Sequence, residues 1–267
     1  MNEEIQDAVV IDPRPLVEQE KDYVHLAGSV PIEWKEIDFN TLVLPSQRYQ
    51  SSSFSCVFQA CATALEVLTG KVISATPYFW RKNYPEKGSY LQDGGDIFYN
   101  RFTTTEELSL SQNQNEATMN KIKQLTTNLG ITGYKQPYFK SINQIAEAIE
   151  LYGQCVITLG SNREEYRKTP VYLGTPVTFY HAICGIEYGL INGKKAILCR
   201  DSTGQSSSPN GIRIITEDYL INRGTGALYF LGSKDVSVPQ DTPGEIYKKS
   251  LMEKIIELLK QIIPFYK

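Results

Sequence analysis

The sequence is short of the residues that would give it a simple identity. Its 267 positions hold two histidines and five cysteines, and no apolar run approaches the ~20 residues of a membrane-spanning helix. Basic charge is not in excess: 27 Lys and Arg face 30 Asp and Glu, a net charge of −3, which excludes the electrostatic footprint of a nucleic-acid binder. The cysteines (Cys56, Cys61, Cys155, Cys184 and Cys199) are odd in number and include no C-x-x-C pair, arguing against a disulfide framework and a structural zinc site. A base working near neutral pH must be His25 or His181. Met1 to Asp7 lacks the basic and apolar regions of a secretory signal, so the chain reads as a soluble protein of a reducing compartment. What remains, 41% hydrophobic and 21% charged, is ordinary globular composition in a length that suits two lobes sharing a cleft.

Hydrophobic spacing divides the chain. After the turn-like Ser51-Ser52-Ser53, the residues Val57, Ala60, Cys61, Ala64, Leu65 and Leu68 recur at helical steps, and Gly70 stops them. A polar stretch from Tyr78 to Asn115 contains Asp93-Gly94-Gly95-Asp96, which reads as a sharp turn. Ala117 to Leu129 reads as a helix, and Ser141 caps another that closes near Gly153. Short runs rich in Val, Ile and Tyr follow at Cys155–Leu159, Phe179–Tyr188, Ala196–Arg200, Ile212–Ile215 and Ala227–Leu231, and these read as strands. Helices early and strands late predict an α+β fold with two unlike lobes. Residues 236–245, with Pro239 and Pro243, form a linker to a C-terminal amphipathic helix over 246–267.

One set of residues can carry chemistry. Cys56 falls in or just before the first turn of the first helix, where unpaired N–H groups and the positive dipole end favour a thiolate. Gln50, six residues upstream, can turn its amide back toward the thiol as an oxyanion donor. His181 starts one strand and Asp201 follows the next, so antiparallel pairing would bring the carboxylate beside the imidazole, the arrangement that orients a base. Cys61, Cys155, Cys184 and Cys199 fall on apolar faces and read as core, and His25 as a surface residue.

Taken in order, these motifs resemble the papain-like (C1-type) cysteine peptidases from about Pro31 to Leu231. Pro31-Ile32-Glu33-Trp34 looks like that family's entry to its catalytic domain, and Gln50 to Cys56 keeps its interval between oxyanion glutamine and nucleophile. Ile73-Ser74 with Tyr78-Phe79-Trp80, Gly153-Gln154-Cys155-Val156, and His181-Ala182 with Gly185-Ile186-Glu187-Tyr188-Gly189 match further blocks. So does Asp201-Ser202-Thr203-Gly204 with Asn210-Gly211-Ile212-Arg213-Ile214. Cys56 and His181 are 125 positions apart, just under the family's separation of about 130–150. The resemblance implies a two-lobed fold in which a helical lobe presents Cys56 and an antiparallel β lobe presents His181 and Asp201. It implies peptide-bond hydrolysis without metal or cofactor, Asp93-Gly94-Gly95 as the loop whose backbone pairs with substrate, and a catalytic domain spanning 31–235.

The departures are as informative. Val57 stands where the family has a tryptophan, Ser53 where secreted members have a disulfide cysteine, and Asp201 where the family has asparagine. Thr203 replaces the tryptophan that shields the imidazole hydrogen bond, which predicts a wetter, weaker pair. Residues 1–30 are shorter than the family's propeptide, so they either leave the enzyme without zymogen control or act as a short plug. Two other readings stay open: another thiol amidase, leader-processing or peptidoglycan-cleaving, and a catalytically dead papain-like domain used as a binding or structural module. The expected partner is a peptide or protein substrate. The C-terminal helix could pack back on the domain, self-associate or dock a partner, with membrane contact disfavoured by Glu253 and Glu257 among its lysines. The expected setting is cytoplasmic or virion-associated.

Overall fold

The computed structural model describes residues 9, 30–50, 54–75, 88–100, 129–137, 141–167, 170–203 and 209–234. Ahead of Gly130 the described residues form two helices, α1 (Cys56–Thr69) and α2 (Leu91–Asn100). After it come β1 (Gly130–Lys135), α3 (Ile142–Tyr152), β2 (Cys155–Ser161), α4 (Arg163–Arg167), β3 (Phe179–Ile191), β4 (Lys194–Arg200), β5 (Ile212–Thr216), α5 (Glu217–Arg223) and β6 (Gly224–Lys234). The six strands make one antiparallel sheet in the order β1-β6-β2-β3-β4-β5. The α+β expectation holds, and each strand read from the sequence is present.

Alternation along the strands explains the layering. Val156, Ala182, Cys184, Leu228 and Phe230 face one apolar cluster, shared with α1 and α2. Cys155, Ile157, Leu159, Ile183, Ala227 and Tyr229 face a second, covered by α3 and α5. Helix α1 is buried along Cys56–Glu66, nearly all round, as expected of a helix enclosed by its domain rather than lying on its surface. Gly70 and Gly153 end α1 and α3 in the left-handed conformation, at φ 67° and 73°.

Two strands are longer than their apolar runs because β3 and β4 are joined by Asn192-Gly193, both at positive φ, the signature of a tight hairpin. The entry segment runs beside β3: the Ile37 N–H donates to the Leu190 carbonyl at 3.0 Å and the Leu190 N–H to that of Lys35 at 2.7 Å. Val9 is buried in the first cluster and forms a parallel bridge with Ser89. Among the described residues no helix is long and apolar enough to cross a membrane. The expected helix over 117–128, the linker, the C-terminal helix, His25, Ser51–Ser53 and Tyr78–Trp80 lie outside the described residues.

Candidate active site

Cys56 is the first residue of the fourteen-residue helix α1 and is fully buried. At this position the backbone N–H has no partner within the helix, and the helix dipole favours negative charge. The other four cysteines are also buried and free, and burial pushes each of their thiols up. They are core residues, as expected.

His181 lies near the start of β3, and Asp201 directly follows β4, its antiparallel neighbour. The His181 Nε2 is 2.8 Å from Asp201 Oδ1. The other ring nitrogen, Nδ1, is buried and has no hydrogen-bond partner among the described residues. Burial by itself lowers the imidazole pKa, but the Asp201 carboxylate and then the Cys56 sulfur beside the ring outweigh it, raising the pKa to about 9. Burial alone would raise the Asp201 carboxyl; His181 first, then Arg213, hold it well below the usual carboxylate range. The site thus favours the protonated, imidazolium form of His181.

Asp201 is bonded on both oxygens. Oδ1 also accepts the Thr203 N–H at 2.9 Å. Oδ2 accepts from the Tyr166 hydroxyl at 2.9 Å, the Thr203 hydroxyl at 2.8 Å, and Arg213 Nε and Nη2 at 3.2 and 3.1 Å. Gln50 reaches the same loop: its N–H donates to the Ser202 carbonyl at 2.9 Å, and the Ser202 hydroxyl donates to Gln50 Oε1 at 2.8 Å. The segment carrying Gln50 is pinned to α1 by buried Arg48, which donates to Glu66 Oε2 at 2.6 Å, to Thr63 Oγ1 at 3.1 Å and to the Ile73 carbonyl. Four separate parts of the chain therefore converge: Gln50, Cys56, His181 and Asp201, all buried.

No protein-family model and no curated sequence matches the chain. Solved structures do. A digestive procathepsin L 3 of Tenebrio molitor larval midgut superposes with a TM-score of 0.63 at 14% identity, over 78% of this chain and 73% of that one. Xylellain, a cysteine protease from Xylella fastidiosa, gives 0.61 at 13% identity over 84% and 95%. The bromelain protease of Ananas comosus, solved with the E64 inhibitor, gives 0.57 at 17% over 70% and 93%. The fold is papain-like.

Within this papain-like frame two expectations need correction. Gly94 and Gly95 do not form a turn: they lie inside α2. A Cβ on Gly94 would stand 2.5 Å from Cys61 Sγ and 3.0 Å from Val57 Cγ1, and one on Gly95 would stand 2.8 Å from the Tyr134 ring. The glycines are required because α2 packs this closely on α1 and on Tyr134 of β1. An extended backbone bridge is found just before the helix, at Ser89, and its partner is Val9 of the same chain.

The Thr203 substitution has not left the imidazole hydrogen bond wet. The His181 and Asp201 side chains are both 0% exposed. Thr203 closes the carboxylate with two donors, and the Tyr166 ring stands edge-on to His181 at 5.6 Å between centroids. Tyr166 and Arg213 were not among the candidate residues. Asn162 before two glutamates was the available signal for α4, which carries Tyr166; Asn162 Oδ1 accepts the Glu164 N–H at 2.9 Å.

Proposed function

We propose that this chain is a cysteine peptidase in which Cys56 is the nucleophile, His181 the acid and base, Asp201 the residue that orients His181, and Gln50 with the Cys56 N–H the oxyanion donors. One observation carries the reading. Asp201 holds Nε2 of His181 at 2.8 Å, and the buried Nδ1 is left with no partner among the described residues beside a cysteine at a helix N-terminus. The group beside that nitrogen is the Cys56 sulfur, which helps raise the His181 pKa, and a domain kept only for binding has no need of that pairing.

The chemistry follows from the groups. The Cys56 sulfur attacks the carbonyl carbon of a peptide bond, and the oxygen takes up the negative charge before the oxyanion donors. The His181 proton passes to the amine nitrogen, the C–N bond breaks, and a thioester remains. Water then attacks the thioester, giving its proton to His181; the C–S bond breaks, releasing the acid and restoring the pair. The substrate is a peptide or protein chain. Val9 acts as a short plug, a reading supported by its burial in the cluster that contains Cys56 and by its bridge to Ser89.

Thiol labelling tests the assignment. The native protein is treated with iodoacetamide or an epoxysuccinyl probe from about pH 5 to pH 8, beside Cys56→Ala, and the label is mapped by peptide mass. Labelling confined to Cys56 that persists at the acid end is expected of a thiolate–imidazolium pair, with peptide-library cleavage that Cys56→Ala abolishes. Because Cys56 is fully buried, the shape of the pH profile decides, not its height. A free-thiol profile, or label spread over several cysteines, rules the reading out.

A further inference from the structure

An aspartate in the orienting position brings a negative charge into a site with no water-exposed side chain, and the structure contains an answer to that charge. Arg213, on β5 and 3% exposed, donates through Nε and Nη2 to Asp201 Oδ2 at 3.2 and 3.1 Å. Its Nη1 donates to the Tyr166 backbone carbonyl at 2.5 Å, and its guanidinium lies 4.1 Å from the centroid of the Tyr166 ring. Tyr166 in turn donates its hydroxyl to the same Oδ2 at 2.9 Å and sets its ring edge-on against His181. The two side chains therefore form one brace behind Asp201, bonded to each other and to the oxygen that does not hold the histidine.

We infer that Arg213 and Tyr166 are positioning residues of the site. Together they balance the charge of Asp201 and stop its carboxylate from rotating, so that Oδ1 alone holds His181 Nε2 and Nδ1 is turned toward Cys56. The inference rests on the peptidase reading above. A buried carboxylate without a counter-charge has two outcomes: it takes up a proton and becomes a poor acceptor, or it binds the imidazole proton so firmly that the ring no longer releases it. Arg213 prevents both. With Asp201 and Arg213 cancelling, the charge of a protonated His181 is left free to act on Cys56. The remaining ionisable neighbours are Cys56 on α1, Cys199 on β4 and Tyr219 on α5, with Arg48 (paired to Glu66) and Arg200 lining a small cavity on the other side of Asp201.

The two histidines make the test direct, because the imidazole NMR spectrum holds two titrations and His25→Gln assigns them. In Arg213→Met the His181 titration is expected to move up by about one pH unit or more, and acid-side labelling of Cys56 to fall. Arg213→Lys, which returns the charge, is expected to bring the titration back toward the wild type. Tyr166→Phe, which removes one oxygen, is expected to shift it upward by less. A folded Arg213→Met with the wild-type titration and labelling profile overturns the inference. If Arg213→Met does not fold, Tyr166→Phe and the pair Asp201→Asn with Asp201→Asn/Arg213→Met decide. The double variant is expected to be more stable than Asp201→Asn, in which a buried guanidinium has lost its counter-charge. An unmoved Tyr166→Phe together with no gain in the double variant overturns it. A wild-type His181 that titrates like a free imidazole removes the peptidase reading itself; a raised wild-type His181 that Arg213→Met leaves unmoved removes only the brace.

Discussion

Gln50 and Ser202 are joined twice, once through the Gln50 N–H and the Ser202 carbonyl at 2.9 Å and once through the Ser202 hydroxyl and Gln50 Oε1 at 2.8 Å. In the second bond the amide oxygen faces Ser202, which leaves the NH₂ as the donor end. The proposed oxyanion role requires that orientation. Gln50→Ala is expected to lower kcat on a cleaved peptide by about 10²-fold or more, the usual cost of one such donor, with a smaller loss in Ser202→Ala. Alkylation of Cys56 passes through no oxyanion, so labelling by iodoacetamide should be unchanged in both variants. A parallel loss of labelling would assign Gln50 to holding the thiol instead.

His181 gives the pH dependence a definite sign. Burial opposes its protonation, but Asp201 and Cys56 raise its pKa to about 9, above the unfolded value of about 6.5. The folded state therefore binds this proton more tightly, and the stability it contributes is complete below about pH 6.5 and lost as pH rises through about 9. The difference in melting temperature between wild type and His181→Gln should shrink across that interval. Hydrolysis, which needs the protonated ring to release the amine, should fall over the same range. Asp201 acts in the other direction: its depressed carboxyl gives stability present above about pH 4 and lost only at lower pH.

Val9 connects access to the fold. It belongs to the same buried apolar cluster as Cys56, Val57 and Leu91 and pairs with Ser89. An aspartate there must either be desolvated or withdraw, and withdrawal is the cheaper course. Val9→Asp is expected to speed labelling of Cys56 several-fold while leaving the midpoint of its pH profile in place, since the ion pair is untouched. Unchanged labelling in a folded Val9→Asp would remove the plug.

How much of this could be read beforehand depended on the range of each signal. Helix α1 was legible because its apolar spacing and Gly70 are local, and the meeting of His181 with Asp201 because neighbouring antiparallel strands leave few alternatives. The extra length of β3 and β4 went unread, although Asn192-Gly193 carries its own turn geometry. Thr216, whose side chain accepts the Tyr219 N–H, and the acidic Glu217 and Asp218 marked the start of α5 and went unread. The brace on Asp201 had no such marker: Tyr166 is 35 residues from it and Arg213 is 12, and donors to a buried carboxylate follow no periodicity. Helix α2 was obscured for a related reason, since its two glycines answer to packing against other elements rather than to its own helical preference.

That packing carries the last prediction. Alanine is the better helix former by about 1 kcal/mol, so on local preference Gly94→Ala should stabilise α2. The new Cβ, however, would stand 2.5 Å from Cys61 Sγ and 3.0 Å from Val57 Cγ1, and overpacking of this kind costs about 1–3 kcal/mol. Crowding is expected to win, giving a net loss by urea unfolding. In a Cys61→Ala background the nearer clash is gone, so the same Gly94→Ala change should cost less or turn favourable. Since Cys61 and Cys56 share α1, the single variant should also slow labelling of Cys56, and Cys61→Ala should restore it. Equal costs in the two backgrounds would mean that α2 absorbs the methyl by moving away from α1, leaving the position of the nucleophile independent of Gly94.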